Sequence, residues 1–237
     1  MEPLGIETLV LGVVWYVVLI FSLTVHEAAH AWAAHRGGDS TAYRGGQVSL
    51  DPVPHVRREP FGMVVAPILV FAISGGGWMF GWASTPFDPA WARAHPRRAG
   101  WMSLAGPAAN LLVFVLAFGA LRLGLESGLF LPDYGGLFQL VGAAEDSLWR
   151  EGGMLLSILF SLNLLLFVFN LFPVPPLDGS GVLSLLIPDE YTAVKVQEWL
   201  SQPGLSWIGL LGAWYLFPSV FGPVRDLAVG WLYRGVI

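Results

Sequence analysis

One short motif in this sequence has residue types and spacing suited to metal chemistry: residues 26–30 are HEAAH. On an α-helix, two histidines four positions apart share a face, so His26 and His30 can bind the same Zn²⁺ ion. Glu27 can reach a water molecule at that ion and act as a general base. The motif directly follows the uncharged stretch 8–25, and ionisable groups at membrane depth mark functional sites.

A catalytic zinc site needs a third protein ligand and an open position. The remaining histidines are weak candidates for that ligand. His35 lies about 140° round the helix from His30 and therefore points away from the metal. We interpret His35, His55 and His95 as structural or interfacial residues.

Asp178 is the stronger candidate, because it follows directly after the third apolar stretch, in NLFPVPPLDGSG. The prolines must break the helix there, and Gly179 and Gly181 allow tight turns. A broken helix at membrane depth is tolerated where it is buried in protein and lines a cavity. From the residues alone, Asp178 is either the third ligand or a cap or turn residue, and both interpretations stay open.

The composition indicates a membrane protein. Only 12% of the 237 residues are charged and 55% are hydrophobic, whereas a soluble domain has about 25% charged residues. The absence of cysteine excludes disulfides, thiolate metal sites and cysteine nucleophiles. No basic stripe suggests nucleic-acid binding.

Four apolar stretches are long enough to cross a bilayer, which takes about 20 helical residues. They are 8–25 (continuing to about 34), 101–121, 152–172 and 205–220, the last interrupted by Pro218 and Pro223. No linker is long enough for a separate soluble domain. We therefore predict a single membrane-embedded domain over 1–237, a mainly α, polytopic protein with about four to six membrane segments.

Basic residues predict the orientation, because they are enriched on the cytoplasmic side. Seven arginines lie between residues 35 and 100, whereas 122–151 is mostly acidic. We expect 35–60 and 84–100 to face the cytoplasm. The protein is then a multi-pass protein of the inner (cytoplasmic) membrane with its active site towards the cytoplasmic side.

Three motifs together resemble the site-2 protease family of intramembrane zinc metalloproteases: HEAAH, AGPAAN at 105–110 and FNLFPVPPLDGSGVL at 169–183. The stretch GGDSTAYRGGQVSLDPVPHVRREPFG is similar to the compact bacterial branch, which lacks PDZ and CBS domains. The resemblance implies one zinc ion per chain, held by His26, His30 and Asp178, with Glu27 as the catalytic acid/base. It also implies that Asn170 lies near the metal and helps to hold the substrate or the oxyanion.

The resemblance further implies hydrolysis of peptide bonds within or near transmembrane segments, with a membrane protein, expected to be single-pass, as the substrate. We interpret Gly106, Pro107 and Asn110 as close helix packing around the site rather than chemistry. Two alternatives stay open: a catalytically silent relative that binds membrane segments, and a metal transporter. The sequence does not indicate an oligomeric state.

The stretch 61–83 is apolar but contains Pro67 and the sequence SGGG at 74–77. The helices carrying HEAAH and Asp178 must both end on one side, so 61–83 must begin and finish on that side. We therefore predict that it enters the membrane, turns back at 74–77 and returns as an extended segment over 78–85, closed by Pro86. We expect a small membrane-associated β element near 45–50 and 78–85, whose free edge could pair with a substrate strand. The alternative is that 61–83 is an ordinary spanning helix, with a second re-entrant segment elsewhere in the chain.

Overall fold

The computed structural model describes residues 5–133, 136–143, 149–202 and 204–236. The α-helices found there are, in chain order, α1 (Ile6–Gly37), α2 (Thr41–Arg44), α3 (Pro52–Arg58), α4 (Ala66–Ile73), α5 (Pro89–Ala94), α6 (Pro96–Glu126), α7 (Trp149–Asn170), α8 (Asp178–Leu186), α9 (Glu190–Leu200) and α10 (Leu205–Tyr233). A π-helical turn, Phe61–Val65, leads directly into α4. Four of the helices, α1, α6, α7 and α10, are long and apolar enough to cross a membrane. The prediction of a mainly α, polytopic membrane protein is confirmed.

The four spanning helices are longer than the apolar stretches that predicted them. Helix α1 continues to Gly37, where Gly38 adopts a left-handed conformation with φ 105° and ends the helix. Helix α6 begins at Pro96, a first-turn position where the missing N–H costs nothing. Helix α10 runs through Pro218 and Pro223 to Tyr233, so the interruption expected at these prolines is wrong.

Helix α6 is the central element of the bundle. It packs against α1, α7 and α8, and α8 in turn packs against α9. Close contact between α6 and α8 depends on Gly181, where any Cβ would overlap the Ser103 side chain. Gly179 and Gly181 lie inside α8, so the tight turns expected there are wrong, and these glycines serve close packing.

The segment 61–83 does not form one helix. The helical part ends at Ile73, and Gly75 and Gly76 turn the chain with positive φ angles of 66° and 85°. Residues 78–85, which we call the return arm, are neither helix nor strand. The prediction of a segment that folds back at 74–77 and returns without helical structure is therefore confirmed, and the alternative of a continuous spanning helix is wrong.

The predicted β element near 45–50 and 78–85 is wrong. Among the described residues the strands are β1 (Leu131–Pro132) and β2 (Val141–Gly142), which pair antiparallel. The return arm instead bonds to a helix start and to side chains. The backbone N–H of Trp82 donates to the carbonyl of Gly62, and the carbonyl of Ser84 accepts from Gln47 and Arg58. Side-chain donors thus take the place of a strand ladder.

The acidic segment 122–151 is described only in part, because 134–135 and 144–148 lie outside the described residues. Its described portion includes the end of α6, the short β1–β2 pair and the first residues of α7. The single-domain assignment for 1–237 and the orientation of this segment stay predictions.

Candidate metal centre

Two histidines of α1 meet an aspartate that is distant in the sequence, at the start of α8. Nε2 of His26 lies 3.0 Å from Oδ2 of Asp178, and Nε2 of His30 lies 3.2 Å from Oδ1 of the same carboxylate. The two Nε2 atoms are 2.9 Å apart. Both histidines are buried, and Asp178 is the first residue of α8 rather than its cap. The structure therefore brings together the three residues predicted as ligands.

In each of the two imidazoles, Nδ1 points away from the cluster and lies within hydrogen-bond distance of an oxygen atom. Nδ1 of His26 lies 2.5 Å from Oδ1 of Asn110, and Nδ1 of His30 lies 2.7 Å from the backbone carbonyl of Met102. Both partners are acceptors, so each Nδ1 carries a proton, and a ring that is otherwise deprotonated presents its Nε2 lone pair to the cluster. This is the usual arrangement behind metal-binding histidines.

The donor set fits a bound cation. Two Nε2 atoms and a carboxylate face one another in a buried space, so either a cation or shared protons must lie between them. Two ligand atoms of a tetrahedral zinc ion, each about 2.0–2.1 Å from the metal, are about 3.3 Å apart. The observed separations of 2.9 to 3.2 Å need only a small widening to reach that value.

Gly106 of α6 gives the two imidazoles the space that they occupy. A Cβ at this position would overlap Nε2 of both His26 and His30. The neighbouring Pro107 is fully buried inside α6. The interpretation of these residues as close packing around the site agrees with this geometry.

Glu27 is buried and lies on the same helix as the two histidines. Its Oε2 accepts a hydrogen bond of 2.7 Å from the hydroxyl of Thr85, which is also 2.9 Å from the carbonyl of Glu27 itself. Among the described residues, none donates a hydrogen bond to Oε1. One carboxylate oxygen is therefore held by the return arm, and the other is left for a ligand or a water molecule.

A cavity of about 650 Å³ opens beside this cluster. Its walls come from α1, the return arm, α5, α6, α8 and α9. The residues that line it include Glu27, His30, Ala83, Ser84, Thr85, Phe87, Arg93, Ser103, Asp178, Gly181, Gln197 and Glu198. The volume lies in the range of small-molecule and peptide-sized sites.

The region that follows the return arm is anchored to the end of α1. The backbone N–H of Asp88 donates to Oδ2 of Asp39 at 2.8 Å, and Thr41 donates to Oδ1 from both its backbone and its hydroxyl. Burial raises the pKa of the Asp39 carboxyl, but these hydrogen bonds outweigh burial and hold that pKa below its ordinary value. The anchor therefore contains an ionised carboxylate at neutral pH.

Asn170 is the predicted site residue that the structure does not bring to the cluster. It is the last residue of α7, and its side-chain Nδ2 donates to the carbonyl of Leu166 at 3.0 Å. It is not among the residues that line the cavity. Its catalytic role stays a prediction.

The other histidines have partners of their own. His35 bonds to Ser40 and stacks on Tyr43, and His55 is buried with its Nε2 on the carbonyl of Ser49. His95 separates α5 from α6. None of the three joins the metal cluster, as the sequence predicts.

Two side chains at the site were missed by sequence reasoning. The sequence predicts helix packing for Asn110, whereas in the structure its side chain bonds to Nδ1 of His26 and orients that ring. Thr85 gave no signal, because its contact with Glu27 crosses 58 positions of sequence. A polar residue facing the motif from another apolar helix was the available signal for Asn110, and no comparable signal existed for Thr85.

The chain matches one protein-family model and several known proteins. Residues 131–211 match the model of Peptidase family M50, a region that contains Asp178 but neither His26 nor His30. The chain is 36% identical over 183 residues to YwhC of Bacillus subtilis (strain 168), covering 76% of this chain and 72% of that protein. The name of YwhC classes it as a zinc metalloprotease.

The chain is also 32% identical over 164 residues to Rip2 of Mycolicibacterium smegmatis and 31% identical to Rip2 of Mycobacterium tuberculosis, which have the same class of name. These matches cover 69% of this chain but only 53% of each Rip2 protein, so the match spans about half of their length. No solved structure matches the chain.

Proposed function

The chain belongs to peptidase family M50, the site-2 proteases, and from this we propose that it is a zinc-dependent intramembrane endopeptidase. Its substrates are membrane proteins, expected to be single-pass, cleaved within or near a transmembrane segment in regulated intramembrane proteolysis. The proposal is carried by the cluster of His26, His30 and Asp178, which meets a cavity lined by His30, Asp178 and the neighbouring Glu27.

His26, His30 and Asp178 would hold one zinc ion through Nε2, Nε2 and a carboxylate oxygen. A zinc ion with three protein ligands supplies Lewis acidity to a peptide carbonyl and acidifies a water molecule. Asn110 and the carbonyl of Met102 keep the two imidazoles in the tautomer that can bind metal. Gly106 keeps the approach to both Nε2 atoms free of side chains.

Glu27 is the residue that moves protons. Its Oε1 takes a proton from the attacking water and later gives a proton to the nitrogen of the departing amine. The Thr85 hydroxyl donates a hydrogen bond to Oε2 of Glu27. This bond keeps the carboxylate in one orientation through both proton transfers. The oxyanion role of Asn170 requires its amide to leave the carbonyl of Leu166, and we build no step on it.

The return arm is suited to hold an extended substrate. Ala83, Ser84 and Thr85 line the cavity, and no described residue accepts a hydrogen bond from the backbone N–H groups of Ala83 and Thr85. Backbone groups without partners are costly in a membrane. A locally unwound substrate segment can pair with them by β-augmentation and present its carbonyl to the site.

The orientation that we propose follows the basic residues. The cavity is lined by Arg93 of α5 and borders the arginine-rich part of the chain. Basic residues favour the cytoplasmic side. We therefore propose an inner-membrane protein, multi-pass, with its active site towards the cytoplasm.

The test is a Glu27→Gln variant, compared with the wild type for zinc content and for cleavage of membrane proteins in cells. We expect both proteins to contain one zinc ion per chain and only the wild type to cleave. Equal membrane proteomes with zinc retained in both would indicate a catalytically silent relative. Zinc transport into vesicles by both proteins would indicate a transporter. Cleavage by Glu27→Gln at the wild-type rate would contradict the role of Glu27.

A further inference from the structure

Asn163 of α7 is a fully buried polar residue, and the other buried polar residues of that helix are the serines Ser157 and Ser161. Its Nδ2 donates to the hydroxyl of Ser22 at 3.0 Å and to the carbonyl of Leu159 at 2.9 Å. Its Oδ1 accepts from Nδ2 of Asn110 at 2.8 Å. Every polar atom of this side chain is therefore bonded, and the bonds join α1, α6 and α7.

The orientation of Asn163 determines the orientation of Asn110. Because Nδ2 of Asn163 faces the carbonyl of Leu159, which can only accept a hydrogen bond, its Oδ1 must face Asn110. Nδ2 of Asn110 then lies between two acceptors, Oδ1 of Asn163 and, at 3.3 Å, the carbonyl of Ser22. A rotation of the Asn110 amide by 180° would place its oxygen against both acceptors, which is strongly unfavourable in a buried site.

The orientation of Asn110 in turn determines the tautomer of His26. With Oδ1 directed at the ring, Nδ1 of His26 must carry the proton. With the amide reversed, Nδ1 would become the acceptor, and the proton would move to Nε2. A protonated Nε2 cannot bind a metal.

We infer that Asn163 is a positioning residue that, through Asn110, keeps Nε2 of His26 free for a metal ion and so sets the metal affinity of the site. The inference rests on the proposed zinc site but not on proteolysis, because its measurement is metal binding alone. Partners of this kind behind a metal-binding histidine typically change metal affinity by about 10- to 100-fold.

The experiment measures the zinc dissociation constant of the full chain in detergent, by competition with a chelator, for the wild type and three variants. Asn163→Leu keeps the number and branching of the side-chain heavy atoms and removes the acceptor for Asn110, so we expect zinc to bind about tenfold more weakly. Asn163→Asp keeps an oxygen facing Nδ2 of Asn110, so we expect an affinity closer to the wild type than that of Asn163→Leu.

Ser161→Ala is the matched control, because Ser161 is also buried in α7 and its hydroxyl bonds to the carbonyl of Leu137, away from His26. We expect it to lower thermal stability without changing zinc affinity. Wild-type affinity in Asn163→Leu, or an equal loss in Ser161→Ala, would overturn the inference.

A second measurement covers the case in which Asn163→Leu does not fold. Nitrogen chemical shifts of the histidines in the metal-free wild type should show Nδ1 of His26 protonated, and a ring protonated at Nε2 alone would overturn the inference. A wild-type chain that binds no zinc at all would instead refute the proposed function itself.

Discussion

The hydroxyl of Thr85 lies 2.7 Å from Oε2 of Glu27, although 58 positions separate the two residues in the sequence. Thr85 belongs to the return arm and Glu27 to α1. The segment proposed to hold the substrate therefore also holds the proposed acid/base. Movement of the arm would change the position of Glu27 directly.

A first prediction concerns this contact. Thr85→Val keeps the shape of the side chain but removes the donor. We expect kcat to fall by about 10- to 100-fold, because a hydrogen bond to a charged group contributes about 1.5–3 kcal/mol. KM and zinc content should change little. Thr85→Ser restores the hydroxyl and should retain most of the activity; equal losses in both variants would refute a role for the hydroxyl.

A second prediction concerns the third ligand. Asp178→Ala should abolish activity as completely as His26→Ala, because two histidines alone do not hold Zn²⁺ tightly. Elemental analysis of the purified variants should show loss of zinc in both. His35→Ala is the control on the same helix, and it should keep both zinc and activity, since His35 bonds to Ser40 instead. Wild-type turnover in Asp178→Ala would remove Asp178 from the ligand set.

A third prediction uses two glycines of the same helix. Gly106→Ala should abolish zinc binding, because its Cβ would overlap Nε2 of His26 and His30. Gly119→Ala places its Cβ in open space and should be neutral or slightly stabilising, since alanine favours helix over glycine by about 1 kcal/mol. Zinc content and thermal stability measure both effects. Zinc retained in Gly106→Ala would show that the imidazoles lie elsewhere.

A fourth prediction concerns the substrate. Ala83→Pro removes a backbone N–H that has no acceptor among the described residues, so the fold should tolerate it, while pairing with a substrate strand is lost. We expect kcat/KM to fall by about tenfold or more, with zinc retained. Ala83→Ser, which keeps the N–H, is the control. Unchanged cleavage by Ala83→Pro would exclude pairing at this position.

A fifth prediction concerns orientation. The chain has no cysteine, so single cysteines at Ser40 and Ala94 can be labelled without background. Neither should react with an impermeant thiol reagent added to intact cells, and both should react after the membrane is opened. Labelling of either position from outside would reverse the proposed topology.

The sequence by itself determined the elements and the ligand types. Spanning helices are local structures set by about 20 apolar residues, so the four spans follow from composition, and the spacing of His26 and His30 on one helix face follows from helical geometry. The fold-back at 74–77 also follows, because the ligand-bearing helix ends must lie on one side of the membrane. Helix ends are harder to predict from the sequence. Capping residues, and prolines that are tolerated inside a helix, let it continue beyond its apolar stretch.

Only the tertiary structure decided which residues support the site. Asn110 and Asn163 act across three helices, and Thr85 acts from a return arm without regular hydrogen bonding. Such contacts depend on how helices pack, and neither residue spacing nor periodicity encodes them. The prediction of a β element near 45–50 and 78–85 is wrong for the same reason. The side chains of Gln47 and Arg58, rather than a neighbouring strand, donate hydrogen bonds to the carbonyl of Ser84.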